Sequence, residues 1–338
     1  MKSLRALWPI LIILFLLSGC LAVEQTDETL PVPPQENRLV IYTSHQKTIY
    51  EPLIREFEAR TGIWIQIETG GTIELLDRIK NEGENTPCDL IFGGGIETLE
   101  AHKDLFLPYQ SPLLEQVDPI YLTDSVSWTP LSALPLVLVY NPKLVRLNPP
   151  SGWEDLLNPT WQGRIAYADP ETSASAYTAL SSLIQFFPDM DSQQILQQFA
   201  ANLDGKLLTA SDQVIEEVAH GNCYIGLTLE DDARRSIENG YDIAMIYPRE
   251  GTSMVCDGAA ILSSCQHVEN AQRFIDFLLS QDVQNYLMDH CYRRSVLTHL
   301  QTTPDSQIQW APYDILWASS CQKEILAQWH SMLQEVTP

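Results

Sequence analysis

The sequence predicts an α/β protein of two lobes around a cleft, on three observations. Short apolar runs alternate with segments of helical period. Each of the first three runs stops at a cluster of Thr, Ser or Gly. At 338 residues the chain also exceeds what one simple core holds.

Taken in order, Leu39-Val40-Ile41-Tyr42 reads as a strand ending at Thr43-Ser44. The segment 48–61 follows with apolar residues at 49, 53, 54 and 57, a helix closed by Gly62. Residues 63–67 alternate as a second strand and end in Thr69-Gly70-Gly71-Thr72, with a helix over 73–79. Asp89-Leu90-Ile91-Phe92 is a third strand, ended by Gly93-Gly94-Gly95, with a helix over 96–103. Three β-α units in sequence imply a parallel sheet whose strand ends share one edge, where ligands of open α/β sheets bind. The run 134–140 then reads as a crossover strand. Residues 163–168 lead into DPETSASAYT (169–178), and 175–187 has helical character. Further strands are expected over 223–229 and 241–247. A return crossover is expected over 255–262, and one long helix over 271–289.

The N-terminus has a separate meaning. Lys2 and Arg5 precede an apolar run over 6–17, and Leu17-Ser18-Gly19-Cys20 closes it, so the segment reads as a secretory signal rather than a spanning helix. Leu-Ser-Gly-Cys resembles the lipobox of bacterial lipoproteins, which implies cleavage after 19 and a lipid on Cys20. Residues 20–37 carry three prolines and no basic residue, the composition of a flexible tether. The net charge is −24, and more negative still once Lys2 and Arg5 are removed. Such a surface argues against nucleic acid and against electrostatic docking on anionic lipid. Six further cysteines allow up to three disulfides once the chain is exported; Cys265–Cys291 and Cys223–Cys256 are candidate pairs among the 15 complete pairings. No Cys/His spacing suits zinc.

LVIYTSH (39–45), FEARTG (57–62), ETGGT (68–72), FGGG (92–95), DPETSASAYT, YPREGTSM (247–254) and AQRFIDFLLS (271–280) together resemble the extracellular solute-binding proteins of bacterial ABC importers. The branch is the type 2 periplasmic binding proteins that take ferric ion, phosphoglycerate, hexose phosphate or aminoethylphosphonate. The resemblance implies a first lobe from 38–134 and 255–298, a second lobe from 135–254, and a C-terminal helical segment, 299–338, packed on the second lobe. It also implies permease and ATPase partners, an extracytoplasmic position on the cell membrane, a monomer, and no cofactor.

Thr43, Ser44, Gly71, Thr72, Gly94 and Gly95 stand where strand gives way to helix. There glycine permits close approach, and free amides with hydroxyls can seat an anion. Ser173 and Ser175 offer the same chemistry from the second lobe; of the hydroxyls of Thr172, Ser173 and Ser175, one is needed as a helix cap and the others can point at ligand oxygens. Tyr177 and Thr252 lie in the family-like segments and join the candidate list. Glu230 and Asp257 could meet a ligand ammonium or hydroxyls, whereas Asp231 and Asp232 read as a solvated face. Arg164 and Arg249 are candidate anion partners that an ordinary surface ion pair would also explain.

The expected ligand is therefore a small organic anion, an organophosphate or phosphonate, with no metal ligand set. The iron-binding relatives are similar to one another in a His after the first strand, a carboxylate at the third strand's end and a Tyr-Tyr pair. Here His45 is one residue early, the second place reads Gly93-Gly94-Gly95, and the third reads Glu230-Asp231. Fe(III) wants hard anionic oxygens, which a lone Tyr177 does not supply. Ferric-ion binding and ligand sensing for a two-component system stand as alternatives. No motif places a nucleophile beside its base, so an enzyme is not expected.

Overall fold

The computed structural model describes residues 34–253, 256–300 and 308–336. The leader, Cys20 and most of the tether lie outside them. The folded unit from Glu36 onward opens with the three expected β-α units. These are β1 (Arg38–Thr43), α1 (Lys47–Thr61), β2 (Trp64–Thr69), α2 (Thr72–Glu82), β3 (Leu90–Gly95) and α3 (Ile96–Ala101). β1 pairs in parallel with β2, from Arg38 opposite Trp64 to Thr43 opposite Thr69, and with β3. Leu39, Ile41, Leu90 and Phe92 face one apolar layer while Tyr42 and Ile91 face another. That is the period-two consequence of a sheet covered on both sides.

β4 (Thr129–Ala133), β10 (Cys256–Ile261) and β11 (Arg294–Ser295) complete the first sheet in the order β11-β4-β10-β3-β1-β2, with β10 antiparallel to both neighbours. The second sheet, β6-β7-β5-β8, holds β5 (Leu136–Tyr140), β6 (Ile165–Ala166), β7 (Ile225–Leu229) and β8 (Ala244–Ile246). The chain passes between the sheets at Leu134-Pro135, and back between β9 (Thr252–Ser253) and β10. The expected crossover over 134–140 is thus a boundary: β4 belongs to one lobe and β5 to the other. Around the second sheet lie α4 (Ala174–Phe186), α5 (Ser192–Leu203), α6 (Gln213–Ala219) and α7 (Glu230–Glu238).

Two other expectations change. The long helix over 271–289 is two helices, α8 (Val268–Leu278) and α9 (Gln281–Cys291), broken where Ser280 takes an extended backbone at φ −64° and ψ 146°. The apolar period runs through the break because both halves feed the same core layer, with Phe274, Ile275, Val283 and Leu287 all in it. The cysteines form no disulfide among the described residues. Cys223 sits in a layer of the second lobe and Cys256 in the core of the first, so that pair is separated by the lobe division. Cys265 turns its thiol to the Asp89 carboxylate instead of to Cys291.

The C-terminal α10 (Ile315–Val336) touches both lobes. Trp329 is fully buried against Tyr167 and Phe199 of the second lobe. One turn and more earlier, Gln322 donates to Thr98 of the first lobe at 3.1 Å. No helix of the described residues is long and apolar enough to cross a membrane.

Candidate functional site

Five helices present their N-termini to one cavity of about 580 Å3 between the lobes, with the cap residues Gln46, Gly71, Gly95, Ser173 and Leu229 all in its wall. The first amides of a helix have no intrahelical acceptor and carry partial positive charge. Converging them on one space makes it attractive to an anion without a lysine, and no lysine lines it. Gly93 and Gly94 hold φ of +111° and +97°, conformations that turn β3 sharply into α3 and that only glycine adopts freely.

Hydroxyls supply the rest of this part of the wall. Ser44 and Thr72 line the cavity, and neither side chain has a hydrogen-bond partner among the described residues. Ser173 caps α4: its Oγ accepts from the Ala176 amide at 3.3 Å and lies 3.1 Å from Ser175 Oγ. Thr172 is also in the wall, with its hydroxyl donating to the Asp169 carbonyl at 3.2 Å. Among its Ser and Thr hydroxyls, DPETSASAYT therefore contains one cap, one hydroxyl beside it in the cavity wall, one local turn bond and, at Thr178, one bond to Glu97.

Part of the same wall is ionic, beside the N-termini capped by Gln46 and Leu229. Arg293, 95 % buried, donates from Nη1 to Asp257 Oδ2 at 2.5 Å and to Ser132 Oγ at 3.1 Å, and from Nε to Asp231 Oδ2 at 3.2 Å. Burial opposes the Arg293 charge, but Asp257 and Asp231 outweigh it and raise its pKa above the ordinary value. His45 is held well below its usual pKa by burial and by the Arg293 guanidinium, so it is neutral. Its Nδ1 faces Arg293 at 3.5 Å and can only accept there. The ring proton is therefore on Nε2, 3.2 Å from Asp257 Oδ2.

Residues 85–316 match the family of bacterial extracellular solute-binding proteins. The chain belongs to this family. It is 28% identical over 283 residues to iron uptake protein A1 of Synechocystis sp., which spans 78% of this chain and 77% of the relative. Among solved structures it is similar to the periplasmic binding protein AfuA from Actinobacillus pleuropneumoniae with exogenous fructose-6-phosphate bound, at a TM-score of 0.81 and 22% identity, covering 88% of this chain and 98% of that one. A two-component system protein that mediates signal transduction superposes with a TM-score of 0.77 at 27% identity, covering 86% of this chain and 100% of the other. The two-lobed α/β architecture and the importer-type solute-binding family anticipated from the motifs are thus the ones found.

Within this solute-binding protein, the expected residues Ser44, Gly71, Thr72, Gly94, Gly95, Ser173, Ser175 and Asp257 line the cavity. Four others do not. Thr43 is fully buried, donating to the Phe92 carbonyl at 2.6 Å and accepting from the His45 amide, so it shapes the turn beneath Ser44. Tyr177 donates to the Ala318 carbonyl of α10. Thr252 donates to the Leu136 carbonyl at 2.8 Å, tying β9 to β5. Glu230 is 2% exposed and turned to the outer side, where Arg294 grips it at 2.8 and 2.9 Å and Tyr247 donates at 2.5 Å. Burial works against that carboxylate's charge, but these donors hold its pKa below the usual value. Asp257 is in the wall, yet both oxygens are occupied by Arg293 and Ser132.

Sequence reasoning missed Arg293, Gln46, Thr178 and the loop from Thr209 to Asp212, all in the wall. It also misread Asp231 and Asp232 as solvated: Asp231 is 1% exposed, and Asp232 lines the cavity. Arg249 pairs with Glu154 and Glu250 on the surface, and Arg164 stacks on Tyr224, so neither reaches the cavity. No tyrosine lines it, and no group of three potential metal-ligating His, Cys, Asp or Glu occurs among the described residues.

Beneath the cavity floor, Glu97 of α3 is fully buried and accepts from Thr178 of α4, a bond from one lobe to the other. Its second oxygen has no partner among the described residues. Burial pushes this carboxyl up from 4.5 to about 7. A carboxyl that holds its proton more tightly folded than unfolded makes stability fall as pH rises between those values. Glu97→Gln is expected to melt near the wild type at pH 5 and above it at pH 8, by up to about 3 kcal/mol. Thermal melts across pH check this; parallel pH profiles for the two proteins would refute it.

Proposed function

We propose that this solute-binding protein captures a small organic anion, an organophosphate or phosphonate, by closure of the two lobes and delivers it to an ABC permease and its ATPase. The observation that carries the reading is the cavity wall. Five helix N-termini and the unpaired hydroxyls of Ser44 and Thr72 converge on a space without lysine. Amides and hydroxyls suit the several acceptor oxygens of a tetrahedral anion, and each hydrogen bond to a charged oxygen contributes about 1.5–3 kcal/mol. Donors from both lobes contact the ligand together only in the closed form, so binding shifts the open–closed equilibrium by their summed preference. AfuA, holding a sugar phosphate in the same fold, is in keeping with this reading. A lipid on Cys20 would keep the protein at the outer face of the cell membrane, with the acidic tether giving it reach.

Iron is the second reading, favoured by the name of the Synechocystis relative. Against it stands the absence of any tyrosine from the cavity wall, since Fe(III) needs hard anionic oxygen donors. A panel of phosphonates, sugar phosphates, phosphoglycerates, inorganic phosphate and Fe(III), scored by melting temperature, tests the two. The expected result is stabilisation by one or more organic anions. Stabilisation by Fe(III) alone would overturn the anion reading.

A further inference from the structure

Glu97 keeps a carboxyl one layer behind the cavity wall, with no cation to answer it. A Cβ added to Gly95, a wall residue, would come within 2.5 Å of its Oε1 and 2.8 Å of its Oε2. Thr178, another wall residue, donates to Oε1 from the second lobe, while Oε2 has no partner among the described residues. The residue is fully buried, so bulk water does not supply the missing donor. The titratable groups that face it are Tyr177 of α4, Cys256 of β10 and Tyr313 just ahead of α10, and each stays neutral through pH 8 because burial raises its pKa. Nearby charges are engaged elsewhere. Asp257, opposite Gly95 on β10, is turned to Arg293 and Ser132. On α3 itself Glu100 is turned to Lys103 and Trp128, and α10 meets α3 with the uncharged Gln322 at Thr98.

Resting on the anion reading above, we propose that Glu97 is a proton-binding site coupled to capture: an anion seated against this wall is taken up together with one proton on Glu97. An anion in contact with Gly95 or Thr178 lies about 7–8 Å from the carboxyl, two contact distances away. At an effective dielectric of about 20, two negative charges at that separation weaken binding by more than tenfold. Protonation removes the repulsion and leaves the bond from Thr178 in place, since Oε1 still accepts. Burial already pushes this carboxyl up to about 7 before any ligand is present, and a neighbouring anion pushes it further in the same direction. Below that pH Glu97 holds its proton in both states and affinity is level; above it each anion must bring a proton with it, and affinity falls as pH rises. The acidity of the medium thereby sets how tightly the protein holds its ligand.

The test is calorimetric titration of the wild type and Glu97→Gln with inorganic phosphate and with trifluoromethylphosphonate, whose fluorines keep it a dianion throughout, at pH 6 and pH 8 and in two buffers of different ionisation enthalpy. Glutamine copies the protonated carboxyl: its oxygen accepts from Thr178 and it carries no charge. Asp232, elsewhere in the wall, also holds a proton up to about 7, but it is common to both proteins, as is the ionisation of phosphate, so the difference between them reports Glu97. The ratio of wild-type to Glu97→Gln affinity is expected to be near unity at pH 6 and to fall by roughly five- to tenfold at pH 8. At pH 8 the wild type should also take up about half a proton or more per anion beyond what the variant takes up. Should Glu97→Gln fail to fold, Thr178→Val takes its place: with the donor to the charged form gone, the fall in affinity should move to higher pH. A ratio that does not change with pH, equal proton uptake by the two proteins, or a fall left where it was by Thr178→Val would overturn the inference while leaving the anion reading intact. If neither trifluoromethylphosphonate nor inorganic phosphate binds, both fall together.

Discussion

Arg293→Leu is expected to lower the unfolding free energy by about 3–5 kcal/mol, the usual cost of removing one partner from a buried ion network. Asp257 and Asp231 are 2% and 1% exposed; in the variant Asp257 loses its guanidinium and Asp231 keeps only the more distant Arg235, at 3.6 Å. Ser132 still donates twice to Asp257, through its amide and its hydroxyl, but two neutral donors do not replace a guanidinium. Arg293→Lys should recover only part of the loss. A single ammonium cannot reach Asp257, Ser132 and Asp231 together as the planar fork does. Adding Asp231→Asn and Asp257→Asn to the leucine variant should restore much of it, because the stranded charges are then gone. Urea unfolding of the four proteins checks the series; a loss below about 1 kcal/mol for Arg293→Leu would mean that the network is not what its geometry implies.

Gly71→Ala is expected to weaken ligand binding by roughly tenfold to a hundredfold, the affinity equivalent of the about 1–3 kcal/mol that an overpacked contact costs, with little change in stability. A methyl at Gly71 would meet the Thr172 carbonyl oxygen of the opposite lobe at 2.6 Å, closer than real contacts allow. The backbone there, at φ −66° and ψ 145°, suits alanine, so the folded lobes tolerate the change while full closure does not. Gly94→Ala supplies the contrast. It would force a side chain into φ +97° and against the Thr72 side chain of its own lobe, so its cost should show in the melting temperature as well as in binding. Titration paired with melts separates the two; equal binding by Gly71→Ala and the wild type would mean that the lobes bind ligand without this close approach.

The part of the site closest to legible in the sequence was its hydroxyls and amides. Gly70-Gly71-Thr72, Gly93-Gly94-Gly95 and Ser173 each sit within a residue or two of a strand end or helix start, and local chemistry alone places such residues on a binding edge. The ionic part was not legible. Arg293 follows α9 in a turn with no motif of its own, and it reaches the cavity because β11 docks beside β4. Asp232 reads as one more acid on a charged helix, and only the fold brings Gln46 of the other lobe against it. β4 escaped because Pro130 argues against a strand; it is tolerated where the register with β10 shifts. Tyr177 and Thr252 were drawn in by their position in family-like segments, but each spends its hydroxyl on a backbone carbonyl.

Capture of an organic anion from both lobes is tested most directly by calorimetric titration of Ser173→Ala/Ser175→Ala with the organic phosphate or phosphonate that most raises the wild-type melting temperature. Loss of the cap should cost about 1 kcal/mol of stability. If the two hydroxyls hold ligand oxygens, the dissociation constant should rise by tenfold or more, since hydrogen bonds to a charged group contribute about 1.5–3 kcal/mol each. An unchanged dissociation constant beside a lowered melting temperature would reduce Ser173 and Ser175 to helix capping and contradict the account.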